Sequence, residues 1–236
     1  MHVFFEPNLS QTEIVLPEDE SKHCIKVLRL AANDKVLLTD GNGNIANAIV
    51  VHAHPKKCIL QIVDKTFAPP MRKYNLHLLV APAKSAERNE WLVEKATEAG
   101  VDEITFIETT RTERTRINLD RLHKIAVSAI KQSKQWHLPK INPLVQFNQA
   151  ICSVHPNSLK LIAKVGSNRQ YSFYNLLQSK HTHIAVFIGP EGDFTNDEMA
   201  IAQQHQCKPL WLGHSVLRTE TAALYACMAV KALLEN

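Results

Sequence analysis

Two loops of this 236-residue chain carry residues whose types and spacing could do chemistry. In "GHSVLRTETAAL", residues 213–224, Arg218 and Glu220 stand between the apolar run "PLWL" and the apolar helical run "AALYACMAVKALL", where a plain turn would suffice. Hydroxyls at Ser215, Thr219 and Thr221 flank them. A fixed guanidinium at such a point stabilises an anion that develops beside it. Glu220 is either the acid that a helix N-terminus favours or a group that orients the arginine. Because Arg218 follows the apolar pair Val216-Leu217, an unpaired charge is expected to be costly there. An anionic partner is therefore expected in Glu191, Glu220 or a substrate.

The other loop, "IGPEGDFTNDE" (188–198), follows an apolar run and leads into a helix. Gly189 and Gly192 allow positive φ and close backbone approach, and Pro190 stiffens the turn. The loop has neither the G-x-x-x-x-G-K pattern that cradles nucleotide phosphates nor the dinucleotide fingerprint G-x-G-x-x-G. No G-x-S-x-G elbow occurs in the chain, so serine-hydrolase chemistry is not indicated. The five cysteines are scattered without a C-x-x-C pair, and the twelve histidines do not cluster with acids or thiols. Neither a metal site nor a disulfide framework is expected, which fits a reducing cytoplasm.

The elements that must hold these loops follow from pattern. The first third contains short β-rich runs ("HVFF", "EIVL", "KVLLTD", "IANAIVV", "KCILQIV"), a hairpin turn at "DGNGN" and one helix over "EDESKHCIKVLRL". That grammar predicts a small barrel over 1–68. "KTFAPPMRK" breaks it with two adjacent prolines. From 74 to 236, apolar runs at 74–81, 103–108, 159–165, 184–189 and 209–213 alternate with helical segments at 87–99, 118–134, 196–205 and 220–234. This predicts an α/β domain with a parallel sheet covered on both faces, whose ligands sit beyond the carboxyl ends of its strands. Gly100 is a helix stop, Asn118 a helix start, and Thr195 with Glu198 a capping box. Trp91 is read as core; Trp136 either packs at an interface or stacks on a base. The N-terminus has no signal-peptide pattern and the apolar runs stop short of a membrane span, so no membrane partner is expected.

The net charge of +4 is unevenly spread. Between residues 111 and 140, eight cations (Arg111, Arg114, Arg116, Arg121, Lys124, Lys131, Lys134, Lys140) face two acids, Glu113 and Asp120. Such density is either a solvated helix face or the footprint of a phosphate-backbone binder.

These stretches carry a resemblance. "IGPEGDF" followed by "LGHSVLRTETAAL" resembles the paired C-terminal signatures of the SPOUT methyltransferases, and within them the RsmE family, which methylates N3 of a uridine in 16S ribosomal RNA of the small ribosomal subunit. "KHCIKVLRL" and "DGNGN" resemble that family's PUA-like β-barrel, and "PAKSAERNEWLVEKATEAGVDEI" its central segment, so the likeness runs along the whole chain. It implies a C-terminal SPOUT-like parallel sheet with a trefoil knot, S-adenosyl-L-methionine as cofactor, a homodimer and a cytoplasmic enzyme. It also implies cofactor contacts at Ile188, Gly189, Pro190, Gly192, Leu212, Gly213, Val216 and Leu217, and Arg218 matches the arginine of its Leu-Arg-Thr-Glu-Thr-Ala motif. That chemistry leads us to expect Arg218 to stabilise the uracil anion, with Glu191 or Glu220 fixing its orientation and Glu191 also open as a base. RNA contacts are expected from Arg111, Arg114, Arg116, Arg121, Lys124, Lys131 and Lys134, extended in the barrel by Lys26 and Arg29. The chain departs from the family at Asp193, where many members have glycine, and at "KQSKQ" (131–135), where many have Glu-Gln-x-Gly-Arg. A non-catalytic RNA-binding assembly factor and a SPOUT enzyme acting on another RNA, such as transfer RNA, are the alternative readings.

Overall fold

The computed structural model describes residues 1–235. Its first strands are β1 (His2–Phe5) and β2 (Glu13–Val15), followed by helix α1 (Glu18–Lys22), then β3 (Lys35–Thr39), β4 (Asn44–His52) and β5 (Ile59–Phe67). They form one sheet in the order β1-β3-β4-β5-β2, antiparallel except for the β1–β3 pair. Phe4 from one edge strand and Ile14 from the other meet in a single buried cluster with Val36, Leu38, Ala48 and Leu60. Edge strands can share a core in this way only if the sheet curls, as the alternation of its strands requires. The β3–β4 turn is held by Asp40, whose carboxylate accepts from the amides of Asn42 (2.8 Å) and Asn44 (3.2 Å). The single helix expected over 18–30 is instead α1 followed by a π-helical turn, His23–Val27, which sets Cys24 in the core.

From residue 72 the strands alternate with helices. They are β6 (Asn75–Val80), α2 (Ala86–Ala99), β7 (Glu103–Glu108), α3 (Leu119–Ser133), β8 (Lys140–Gln146), α4 (Phe147–Ser153), β9 (Leu159–Ala163), α5 (Phe173–Leu176), β10 (His183–Ile188), α6 (Asn196–Gln204), β11 (Lys208–Leu210) and α7 (Thr219–Leu234). The six strands are parallel in the order β11-β9-β10-β6-β7-β8. The chain moves outward from β6 to β8, then crosses to the other side of β6 for β9 to β11. The switch of direction lies between β6 and β10, where an open α/β sheet offers a crevice at its carboxyl edge. One core face joins Leu79, Ile107, Phe147, Ile162, Phe187 and Phe194.

Local signals at the helix ends appear as expected. Gly100 ends α2 in the left-handed conformation at φ 90°, the Asn118 side chain accepts from the Arg121 amide at 3.0 Å, and Thr195 with Glu198 makes the reciprocal capping box. Three short elements, β8, α4 and α5, were not expected. Pro143 interrupts the pattern of β8; it is tolerated because β8 is an edge strand whose register with β7 shifts between Thr105 and Ile107.

Contacts divide the chain into one unit of residues 1–71 with 130–138 and another of residues 72–129 with 139 onward. The end of α3 and the segment after it therefore belong with the curled sheet, an assignment that a boundary drawn at the prolines does not contain. Within this unit the Gly43 amide donates to the Trp136 carbonyl at 2.8 Å, and Lys131 pairs with Glu20 at 2.6 Å.

Candidate active site

The loops leaving β9, β10 and β11 border a cleft at the carboxyl edge of the sheet, where an open α/β sheet takes its ligands. Its lining comes from Ala163–Gly166, Ile188–Glu191, Asp193, Leu212–Leu217, Thr219 and Ala222. Seven of the eight expected cofactor residues (Ile188, Gly189, Pro190, Leu212, Gly213, Val216 and Leu217) line it, and Glu191 does too. Gly192 does not. It lies under Arg111, whose side chain would come within 3.0 Å of a Cβ there and whose guanidinium donates to the Gly192 carbonyl. Lys164, Val165 and Gly166 were missed; the signal available was a polar Lys-Val-Gly directly after a buried strand, at the carboxyl edge where ligands sit.

The loop does not use the freedom its glycines allow. Neither Gly189 nor Gly192 has a positive φ; the left-handed residue of this loop is Asp193, at φ 60°. Its carboxylate accepts from the amides of Phe194 (2.8 Å) and Val165 (3.2 Å) and pairs with Lys164 at 3.0 Å. Gly213, at φ 127° with open space where a side chain would start, is the position that demands glycine. The Thr219 hydroxyl donates to the Gly189 carbonyl at 3.0 Å and so ties the start of α7 to the β10 loop.

The arginine of the opening motif also sits differently from expectation. Val216 is 75% exposed, and Arg218 and Glu191 are exposed. Arg218 thus pays no burial cost, and among the described residues neither Glu191 nor Glu220 pairs with it. Glu220 is the buried member of the motif, in the first turn of α7, and its carboxylate lies 3.6 Å from Arg88 of α2.

Residues 70–231 match the RNA methyltransferase domain, and residues 16–63 match the RNA methyltransferase PUA domain. This chain belongs to the RsmE family of RNA methyltransferases. The Rickettsia conorii ribosomal RNA small subunit methyltransferase E is 28% identical over 225 residues, covering 94% of this chain and 91% of that protein. A probable rRNA-methyltransferase from Porphyromonas gingivalis superposes with a TM-score of 0.92 at 34% identity, over 100% of this chain and 99% of that one. The ribosomal RNA small subunit methyltransferase E from Neisseria gonorrhoeae, solved bound to S-adenosyl methionine, superposes with a TM-score of 0.88 at 25% identity, over 99% and 98% of the two chains.

In this RsmE-family chain the segment after β7 is drawn onto the β10 loop. Glu198 accepts from the Thr110 amide (2.8 Å) and the Thr195 amide (2.7 Å), and from both hydroxyls. Burial acts to raise its pKa, but these donors outweigh burial and hold the carboxyl below the ordinary glutamate value. Arg114 donates to the Lys84 carbonyl at 3.1 Å, and Lys84 pairs with Glu113 at 2.7 Å.

The expected RNA-contacting cations divide into two groups. Arg121 pairs with Glu90 at 3.0 Å, Lys131 is held by Glu20, and Arg111 and Arg114 bind backbone carbonyls. Arg116, Lys124, Lys134, Lys26 and Arg29 are exposed and have no ion-pair partner among the described residues. Trp91, expected in the core, is 39% exposed. The face of α2 that packs inward carries Asn89, Leu92, Val93 and Ala96, which turns Trp91 outward.

Proposed function

We propose that this chain transfers the methyl group of S-adenosyl-L-methionine to N3 of a uridine in 16S ribosomal RNA of the small ribosomal subunit. The observation that carries the proposal is the cleft at the carboxyl edge, lined by the two signature loops of an RsmE-family chain. The relative from Neisseria gonorrhoeae, solved with S-adenosyl methionine, supports the cofactor. The donor set fits this group: Ile188, Leu212, Leu217 and Ala222 give an apolar wall for an adenine, and the main chain of 188–191 and 212–217 supplies polar edges.

Bound there, the cofactor supplies an electrophilic methyl on a sulfonium. Uracil N3 must lose its proton to accept it, so the base carries negative charge until the new N–C bond, formed as the sulfur–methyl bond breaks and its electron pair stays on sulfur, neutralises it. Arg218, exposed at the N-cap of α7, stabilises that charge. Glu191, which lines the cleft and is open to solvent, is our candidate acceptor for the N3 proton. Glu220 acts from behind, on its own partner.

The remaining features belong to the same proposal. The curled sheet of 1–68, with Lys26 and Arg29, and the cations Arg111, Arg114, Arg116, Arg121, Lys124, Lys131 and Lys134 engage RNA phosphates, supported by the match to a PUA domain and by the local positive excess. Residues 74–236 form the methyltransferase domain, with its chain knotted around the cleft loops as the family resemblance implies. The enzyme works as a homodimer, supported by Tyr225 and Met228, which leave 44% and 50% of their surface exposed on one side of α7. It acts in the cytoplasm, a placement supported by its likeness to ribosomal RNA small subunit methyltransferases; among the described residues no helix is long and apolar enough to cross a membrane.

Nucleoside mass spectrometry after incubating the protein and S-adenosylmethionine with small subunits lacking the modification tests this reading. N3-methyluridine should appear, and its formation should fall about 10²–10³-fold in Arg218→Ala. Cofactor binding without methylation of these subunits would move the search to another RNA. Neither binding nor methylation would leave an RNA-binding assembly factor.

A further inference from the structure

Glu220 is 7% exposed, and its Oε2 has no hydrogen-bond partner. A buried carboxylate is costly unless something engages it. The one cation at hand is Arg88, with Nε 3.6 Å from Oε1, too far for a short charge-assisted hydrogen bond. Arg88 keeps 37% of its side chain exposed, so it can meet a second anion while it faces Glu220. Its terminal Nη groups have no partner among the described residues, whereas nearby cations are engaged: Lys84 by Glu113, Arg111 by Gly192 and Arg114 by Lys84 and Arg116.

Neither residue lines the cleft, but both lie close to residues that do. Glu220 directly follows Thr219, which lines the cleft and holds the Gly189 carbonyl. Arg88 and the cleft residue Glu191 both act electrostatically on Lys84. The start of α7 adds the positive end of a helix dipole. A guanidinium with a buried acid on one side and its donor fork open on the other suits an anionic oxygen.

We propose that Arg88, oriented by Glu220, contacts an anionic oxygen of the RNA, and that Glu220 is a positioning residue acting through Arg88. This rests on the methyltransferase reading above. The oxygen belongs either to a backbone phosphate or to the uracil as it becomes an anion.

The test compares Arg88→Gln, Glu220→Gln and the double variant, in kcat and KM with small subunits, in calorimetric affinity for S-adenosylmethionine and in thermal unfolding. Arg88→Gln should lower kcat/KM about 10²-fold with cofactor affinity unchanged. A uracil contact shows as a fall in kcat; a phosphate contact shows as a rise in KM and a shallower salt dependence. Glu220→Gln should move the same parameter, and the double variant should be no worse than Arg88→Gln alone. Wild-type turnover in Arg88→Gln, independent effects that add, or a change confined to thermal unfolding would overturn the assignment. If the wild-type protein binds no S-adenosylmethionine, the methyltransferase reading fails by itself. Filter-binding affinity for ribosomal RNA then decides Arg88: a weakened variant upholds the contact, and an unchanged one removes it.

Discussion

Asp193 Oδ2 lies 3.0 Å from Lys164 Nζ, and the two residues lie on different loops of the same cleft. The aspartate reaches that lysine from a left-handed backbone at φ 60°, a conformation that aspartate tolerates better than most residues other than glycine. This gives physical content to the departure from the family pattern. Where glycine would supply only the backbone geometry, Asp193 also ties the β10 loop to the end of β9.

Asp193→Gly and Asp193→Ala separate these two roles. Both lose the tie, so both should weaken S-adenosylmethionine binding several-fold by calorimetry. The alanine variant also keeps a left-handed residue without its local hydrogen bonds, and should be less stable than the glycine variant by about 1–2 kcal/mol. Equal cofactor affinity in all three proteins would mean that the cleft loops are ordered without the tie.

Glu198 joins the helix cap of α6 to the segment after β7. Glu198→Ala removes acceptors for the Thr110 and Thr195 amides at once and should cost about 2–3 kcal/mol, read in denaturant unfolding. Glu198→Gln keeps one acceptor oxygen and should cost less. A loss below about 0.5 kcal/mol in Glu198→Ala would show that water replaces these bonds freely.

Acid should destabilise the protein in two stages. His77 is buried, and burial pushes its pKa below the ordinary 6.5; Lys140 adds to this and Glu103 opposes it. The folded state then binds a proton less readily than the unfolded chain, so the His77 contribution is complete above 6.5 and is lost as pH falls below it. Glu198 and Asp40, both held below their ordinary values by hydrogen bonds that overcome burial, lose their contributions at lower pH, as the medium falls below the carboxylate range. Thermal unfolding at about pH 7 and about pH 5.5 should show a drop that shrinks in His77→Gln, and an unchanged drop would assign the first stage elsewhere.

Salt dependence distinguishes the free cations from the paired ones. If Arg116 and Lys124 meet phosphates, Arg116→Gln/Lys124→Gln should flatten the log–log salt slope of RNA binding by about 1.4–1.8. Arg121→Gln/Lys131→Gln should flatten it by less than about 1, because Glu90 and Glu20 already neutralise those side chains. Equal changes would mean that RNA displaces both acids.

Features written in neighbouring residues could be read from the chain alone. The capping box at Thr195–Glu198, the left-handed stop at Gly100, the turn at 40–44 and the apolar strands at 75–80, 103–108 and 183–188 each depend on a few adjacent side chains, and all are present. The two signature loops were legible for the same reason, since their residues are contiguous. What lay beyond reach depends on partners far along the chain. Pro143 reads as a break until the strand around it is seen at a sheet edge. Trp91 reads as core until the inward face of α2 is known. Residues 130–138 join the curled sheet through contacts that no local pattern announces. Arg218 was expected to need a partner and stands in solvent, while its neighbour Glu220 is buried against Arg88 from another helix. Hydrogen bonding within a turn or helix is set by sequence spacing, but the partner and exposure of a charge are set by which surfaces the packed sheet brings together.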